Sequence, residues 1–137
     1  MSTKRTPGPP VIVGLIAGCL LLAGFIALPQ LSRAYGGADA EHGRQLFERR
    51  CLGCHSLDQN REGPHLRGVY GRQAGKVPGF NYSAALQSSQ LVWDDASLEK
   101  WLTNPDSLIA DNDMGFRVNR PDERADIIRY LKTLSMK

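Results

Sequence analysis

Hydrophobic residues divide this chain of 137 residues into two unlike parts. The N-terminal part contains one uncharged, apolar run from Val11 to Leu28, whereas the remainder has only short apolar stripes between polar stretches. An α-helix rises about 1.5 Å per residue, so this run would be about 27 Å long, close to the hydrocarbon thickness of a bilayer. The pattern predicts one transmembrane helix over residues 11–28, followed by a linker over residues 29–38.

In the remainder, residues 39–137, apolar residues recur at the three- and four-residue spacing of α-helices. Asp39 can cap a first helix, and Gly43 in the middle of that helix predicts a close crossing by another helix. Pro121 suits the first turn of the last helix. The predicted helices cover residues 40–51, 83–87, 95–104 and 121 onwards, and the predicted irregular segments are residues 57–81 and 107–119. The predicted fold class is all-α.

Basic residues flank the apolar run unequally, because Lys4 and Arg5 precede it and Arg33 follows it. The end richer in basic residues stays in the cytoplasm, so residues 1–10 are predicted to be a cytoplasmic tail and the C-terminal domain to be exported. The same three residues account for the whole formal net charge of +3, which leaves residues 39–137 neutral. A neutral domain gives no support to nucleic-acid binding.

Two other interpretations of the N-terminal segment stay open. A signal peptide could be cleaved after Ala34, although its apolar run would exceed the usual length of roughly 7–15 residues. Residues 16–19 (Ile-Ala-Gly-Cys) also resemble the signal of a bacterial lipoprotein, in which lipid would be attached to Cys19. An uncleaved helix or a lipid would each tether the domain to the membrane.

The segment Cys51-Leu52-Gly53-Cys54-His55 carries the clearest chemical signal of the chain. Two thiols three positions apart, followed directly by histidine, form the attachment pattern of c-type haem. Each thiol can add across one vinyl group of the porphyrin, and His55 can then supply an axial nitrogen to the iron. A bound haem would also explain the long irregular stretch before residue 81, because a loop of that length is uncommon in a compact domain.

A zinc site and a thiol redox motif are the alternatives for two cysteines at this spacing. Zinc normally takes four ligands, but the third cysteine, Cys19, lies in the apolar run, and His42 and His65 are not spaced as a ligand pair. A thioredoxin-like motif would require a βαβ context, and no strand-rich pattern surrounds Cys51. Covalent haem is therefore the predicted cofactor.

The order of motifs after residue 39 resembles that of class I cytochromes c, the small electron carriers of mitochondria and bacteria. The resemblance extends from about Gly43 to Leu134. It is carried by Gly43 with Phe47, CxxCH, residues 63–66 (GPHL), 71–75 (GRQAG), 78–82 (PGFNY), Trp93, 101–105 (WLTNP), Met114 and 130–131 (YL). It implies a class I cytochrome c fold, with crossed N- and C-terminal helices around a covalent haem c. The predicted transmembrane helix lies outside it and resembles the anchor of membrane-tethered variants in some bacteria.

The resemblance implies roles for individual residues. Cys51 and Cys54 would hold the vinyl-derived carbons, and His55 would be the proximal iron ligand, with its other ring N–H bonded to the carbonyl oxygen of Pro64. Met114 would be the sixth ligand, and a thioether there favours ferrous iron. The other residues expected to bind the haem are Arg72, Tyr82, Trp93, Trp101 and Phe116.

The chain departs from the family pattern on the methionine side. Residues 110–113 (Ala-Asp-Asn-Asp) replace the usual Pro-Gly-Thr-Lys, Trp101 replaces a tyrosine, and Leu86 replaces a buried asparagine. An indole can donate only through its N–H, so the hydrogen bonds around the methionine are expected to differ. Acidic residues also stand where the family has part of a ring of lysines.

These features predict a membrane-anchored one-electron carrier that is not an enzyme. Its expected partners are the membrane, a quinol-oxidising cytochrome bc complex as electron donor, and a terminal oxidase or similar acceptor. Neither nucleic acid nor a small-molecule substrate is expected. The predicted location is the bacterial inner membrane, with one membrane pass and the haem domain on the periplasmic side. A fixed electron-relay subunit of a respiratory or dehydrogenase complex is the alternative, and the short linker favours it.

Overall fold

Five helices form the part of the chain that the computed structural model describes, residues 37–135. They are α1 (Ala40–Arg50), α2 (Ala84–Ser88), α3 (Asp95–Thr103), α4 (Pro105–Leu108) and α5 (Pro121–Thr133). The all-α prediction is confirmed for this domain. The predicted transmembrane helix, residues 11–28, lies outside the described residues, as does most of the linker. Within residues 37–135, no helix combines the length and the apolar character needed to span a bilayer.

Helices α1 and α5 cross at Gly43, as the sequence predicts. A Cβ atom at position 43 would collide with the backbone carbonyl group of Asp126, so glycine allows the two helices to approach this closely. The crossing is also held by Phe47 and Tyr130, whose ring centroids are 5.3 Å apart. Next to the crossing, the buried Asp126 carboxylate accepts a hydrogen bond of 2.7 Å from the backbone N–H of Asp39. These contacts join the two ends of the domain.

Helix α4 corrects one detail of the prediction. The sequence predicts a helix that ends at residue 104 and an irregular segment over residues 107–119, whereas the structure has a further short helix that begins at Pro105. Proline has no backbone N–H and its φ angle is fixed, so it ends the preceding helix but also suits the first turn of a new one. Helix α3 itself begins where predicted, because Asp94 and Ser97 form a reciprocal capping box.

A buried arginine fixes the segment between α4 and α5, and the sequence analysis did not single it out. Arg124 in α5 is 7% exposed. Its guanidinium donates to the carboxylate of Glu99 in α3 (2.7 Å) and to the carbonyl oxygens of Val118 (2.8 Å) and Asn119 (3.1 Å). These bonds connect two helices with the end of the segment that carries Met114.

Candidate functional site

A cavity of about 370 Å³ lies inside the domain and is lined mostly by apolar side chains. The predicted site residues all lie on its wall: Cys51, Cys54, His55, Pro64, Arg72, Tyr82, Trp93, Trp101, Met114 and Phe116. They come from the end of α1, the irregular segments, α3 and the segment before α5. The fold therefore gathers residues that are far apart in the sequence around one space.

The two thiols lie where α1 opens into a turn. The backbone N–H groups of Cys54 and His55 both bond to the carbonyl oxygen of Cys51, at 3.2 and 2.9 Å. Both thiols are free. Burial raises the pKa of the Cys51 thiol to about 11, against the opposing effect of the Arg50 charge.

This environment counts against both alternatives to haem. Thiol–disulfide exchange uses a lowered thiol pKa, which is the opposite of the shift at Cys51. Within residues 37–135, no group of three or more His, Cys, Asp or Glu side chains is arranged to hold a metal ion. The described part of the chain therefore offers no second pair of ligands to complete a zinc site.

The imidazole of His55 is held in one orientation by the loop that follows. Its Nδ1 lies 2.7 Å from the carbonyl oxygen of Pro64, so Nδ1 carries the proton and donates it, and Nε2 keeps its lone pair. A Cβ atom on Gly63 would collide with the ring, so glycine is needed where the loop passes over it. Burial lowers the pKa of His55, and the bond to Pro64 opposes that shift. An oriented, neutral imidazole is the form in which histidine binds metals.

Met114 is positioned by a turn that the sequence analysis missed. The side-chain oxygen of Asn112 accepts a hydrogen bond from the backbone N–H of Met114 (2.8 Å), and its Nδ2 donates to the carbonyl oxygen of Ile109 (2.8 Å). Asp111 has a φ of 56°, a left-handed conformation that Asp and Asn tolerate better than most residues. The run of Asp and Asn was the one available signal, because such residues favour turns.

The methionine side of the cavity is enclosed by two tryptophans. The indole N–H of Trp101 donates to the Met114 sulfur, with a distance of 3.0 Å between Nε1 and Sδ. Trp101 and Trp93 are both buried, and their ring centroids are 5.1 Å apart. Leu86 adds hydrocarbon to the same wall. Phe116, in contrast, is 41% exposed, so it lies at the mouth of the cavity.

Arg72 and Tyr82 bring polar groups to the wall. Arg72 donates to the carbonyl oxygens of His65 (2.9 Å) and Arg67 (3.2 Å), and it pairs with no carboxylate within residues 37–135. Burial lowers the pKa of Arg72 and raises the pKa of the Tyr82 phenol. A half-buried cation without a counter-ion suits a ligand that carries carboxylates of its own.

The residues present fit a covalently bound haem. The apolar wall suits the hydrocarbon of a porphyrin, and the two free thiols can bond to its vinyl-derived carbons. An imidazole nitrogen and a thioether sulfur are available as axial ligands. Arg72 can neutralise a propionate.

Comparisons with known proteins agree with this fit. The family profile described as cytochrome c matches residues 40–135. Cytochrome c of Euglena viridis is 46% identical over 99 residues, which cover 70% of this chain and 97% of that protein. Cytochrome c type-1 of Ascaris suum is 41% identical over 97 residues, which cover 69% and 87%. The structure of cytochrome cH from Methylobacterium extorquens matches with a TM-score of 0.67 at 39% identity, covering 70% of this chain and 99% of that one.

The crossed terminal helices, the CxxCH turn and the apolar cavity define a class I c-type cytochrome domain. The chain belongs to the cytochrome c family. Members of this family carry covalent haem c and transfer electrons, so this protein is an electron-transfer protein and not an enzyme. The predictions of the family, of the covalent haem and of a non-enzymatic role are confirmed.

Proposed function

We propose that this protein is a membrane-anchored one-electron carrier, with its haem attached to Cys51 and Cys54 and its iron ligated by His55 and Met114. The observation that carries the proposal is the shared cavity wall. Two free thiols, an imidazole with its Nδ1 already engaged and a thioether sulfur all line one apolar space. These are the donor groups that a c-type haem with histidine and methionine ligands requires.

When bound, haem would supply one-electron chemistry, because its iron is stable in both the ferrous and the ferric state. The chain supplies orientation and exclusion of water. Pro64 fixes the imidazole of His55, and Trp101 holds the sulfur of Met114 through a hydrogen bond. His55 and Met114 would both be engaged in holding the iron, which would leave no site on it for a substrate, as a carrier requires. Arg72 is available to neutralise a propionate.

The proposed anchor is the apolar run at residues 11–28. The excess of basic residues before the run supports a cytoplasmic N-terminus and a haem domain on the periplasmic side of a bacterial inner membrane. If the anchor is retained, the haem protein should stay in the membrane after an alkaline carbonate wash, and the mature mass should include residues 1–36. Release by the wash, with a mass that corresponds to a chain beginning near Tyr35, would establish a cleaved signal peptide instead. A mass that corresponds to a chain beginning at a lipid-modified Cys19 would establish the lipoprotein.

The proposed electron donor is a quinol-oxidising cytochrome bc complex, and the proposed acceptor is a terminal oxidase or a similar complex. A fixed relay subunit is a second candidate, because a linker of about ten residues reaches at most about 35 Å. Purification in mild detergent separates the two. A stoichiometric complex that survives gel filtration supports the relay subunit. A haem protein that elutes alone and is still reduced by the bc complex supports the carrier.

Spectroscopy of the membrane fraction tests the haem site itself. The haem should stay with the polypeptide through acid–acetone extraction, and the ferric protein should show the weak near-red band of sulfur-to-iron charge transfer. Met114→Ala is expected to remove this band and to lower the reduction potential while the covalent haem is retained. Met136→Leu, which changes the other methionine of the domain, should leave the band in place. Extraction of the haem, or a band that survives Met114→Ala, would contradict the proposed site.

A further inference from the structure

Three carboxylates of the described domain have no partner, and two of them line the cavity. Within residues 37–135, most Asp and Glu side chains pair with a cation or accept a hydrogen bond near a helix terminus. Glu62, Asp111 and Asp113 are exposed and have no side-chain hydrogen bond or ion pair in this range. Glu62 and Asp113 line the cavity, and Asp111 is two residues before Asp113.

The cations at the cavity are engaged by other groups. Arg50 lines the wall and pairs with Glu123 at 2.9 Å. Arg72 donates to backbone carbonyl oxygens of its own loop. Arg61, next to Glu62, donates to the carbonyl oxygen of Leu52, in the turn after α1 (2.8 Å). Of these three charges, only that of Arg50 is paired within the described domain, and a propionate of the proposed haem would neutralise that of Arg72.

Negative charges outnumber positive charges in the segment around Met114. Residues 105–116 contain three carboxylates and no Lys or Arg. Arg117 follows directly, but it pairs with Asp106 at 3.3 Å, which leaves the charges of Asp111 and Asp113 uncompensated.

An exposed aromatic ring follows these charges closely in the sequence. Phe116 is three residues after Asp113, it lines the cavity, and it is one of two large hydrophobic residues exposed on the described part of the domain. Transient protein interfaces combine an apolar contact with a charged, hydrated rim.

We propose that the Met114 side of the cavity mouth, formed by Asp111, Asp113 and Phe116, is a docking surface for a redox protein that presents Lys and Arg side chains around an apolar contact. The inference rests on the proposed electron-transfer site and adds the charge of the partner. Opposite charges on two proteins raise the rate of encounter and orient the approach, and salt screens this effect.

The first test uses two small oxidants of opposite charge, the tris(phenanthroline)cobalt(III) trication and the ferricyanide trianion. Each oxidises the reduced, haem-loaded, full-length protein in a non-ionic detergent, and the rate is followed by stopped flow. In Asp111→Asn/Asp113→Asn we expect the cationic oxidant to react about fivefold more slowly at low ionic strength and the anionic oxidant to react faster. Both differences should vanish at about 0.5 M salt. Asparagine tolerates the positive φ at position 111.

The matched control is Glu48→Gln/Asp122→Asn, which changes the net charge by the same amount. These carboxylates are exposed, pair with arginines and do not line the cavity. The control should change the two rates much less than the Asp111 and Asp113 variant does. Equal changes in both variants would assign the effect to net charge alone and would overturn the docking surface.

The second test addresses the partner directly. A small c-type cytochrome with a lysine-rich face is used as the oxidant, before and after its lysines are succinylated. We expect the lysine-rich form to react faster and to lose that advantage with Asp111→Asn/Asp113→Asn. A faster reaction with the succinylated form would overturn the proposal. Failure of the proposed function is distinguishable, because a protein without a reducible covalent haem gives no rate with any oxidant.

Discussion

The Met114 sulfur has one hydrogen-bond donor within the described structure, the indole N–H of Trp101. A donor withdraws electron density from the thioether, which would make it a weaker ligand for ferric iron in the proposed haem site. Trp101→Phe keeps an aromatic ring but removes the N–H. Because a hydrogen bond contributes about 1 kcal/mol, we expect the reduction potential to fall by about 20–60 mV, measured by spectroelectrochemical titration.

The control for this prediction is Trp101→Tyr, which restores a donor. Its potential should lie closer to that of the unchanged protein than the potential of Trp101→Phe does. The near-red sulfur-to-iron band should also change position in Trp101→Phe, which a loss of packing alone would not cause. An unchanged potential and an unchanged band would show that the bond between Trp101 and Met114 does not influence the iron.

At the scale of helices, the successful predictions depend on chemistry within a few residues. Asp39 accepts the hydrogen bonds expected of a helix cap, and Pro121 begins α5 as expected. Helix α4 was missed because one proline ends a helix and begins the next. The CxxCH motif could be recognised for the same reason, because its pattern lies within five consecutive residues. The turn around Asn112 was not predicted, because several polar residues there could have made it, and the choice depends on the three-dimensional path of the chain.

Gly43 shows how one position sets the distance between two helices. Gly43→Ala would raise the intrinsic helix propensity of α1, which alone would be stabilising by about 1 kcal/mol. The new Cβ atom would collide with backbone atoms of Asp126, however, and a backbone group cannot move aside as a flexible side chain can. We expect the collision to prevail and the free energy of unfolding to fall by about 2–3 kcal/mol. Chemical denaturation of the haem-loaded protein measures the change.

Gln45→Ala is the matched control on the same helix, because Gln45 is exposed and its substitution also raises helix propensity. It should change the free energy of unfolding by less than about 0.5 kcal/mol. If the free energy of unfolding of Gly43→Ala equalled or exceeded that of the control, α1 and α5 could move apart without an energetic cost. That result would contradict the close packing of the two helices at Gly43.

At the scale of the whole molecule, Arg124 connects parts of the domain that are distant in the sequence. A charged residue on a helix is normally exposed to solvent, so nothing in the sequence places this arginine inside the domain. Its bonds to Glu99, Val118 and Asn119 depend on the assembled fold. Arg124→Met leaves two carbonyl oxygens without a donor, and we expect a loss of about 2–4 kcal/mol in the free energy of unfolding. Arg129→Met, at an exposed position of the same helix, should cost less than about 0.5 kcal/mol. Similar losses in both variants would contradict a linking role for Arg124.

The exposed ion pairs give the molecule a defined response to acid. Hydrogen bonds from Arg44 and Gln45 are the main causes that lower the pKa of Glu41 to about 2, and the hydrogen bond from Arg120 lowers the pKa of Asp122 to about 2. A carboxyl group whose pKa is lower in the folded state contributes its full stability above the unfolded pKa of about 4. That contribution is lost as the pH falls through the folded value.

We therefore expect the contribution of these groups to the free energy of unfolding to be level above about pH 5 and to decrease between about pH 4.5 and pH 2. Because the pairs are exposed, 0.5 M NaCl should reduce the decrease. Denaturation curves recorded at a series of pH values measure it. Asp122→Asn removes one titrating group, so its stability should depend less steeply on pH in this interval and approach that of the unchanged protein near pH 2. An equally steep decrease in Asp122→Asn, unaffected by salt, would show that other groups cause the acid response.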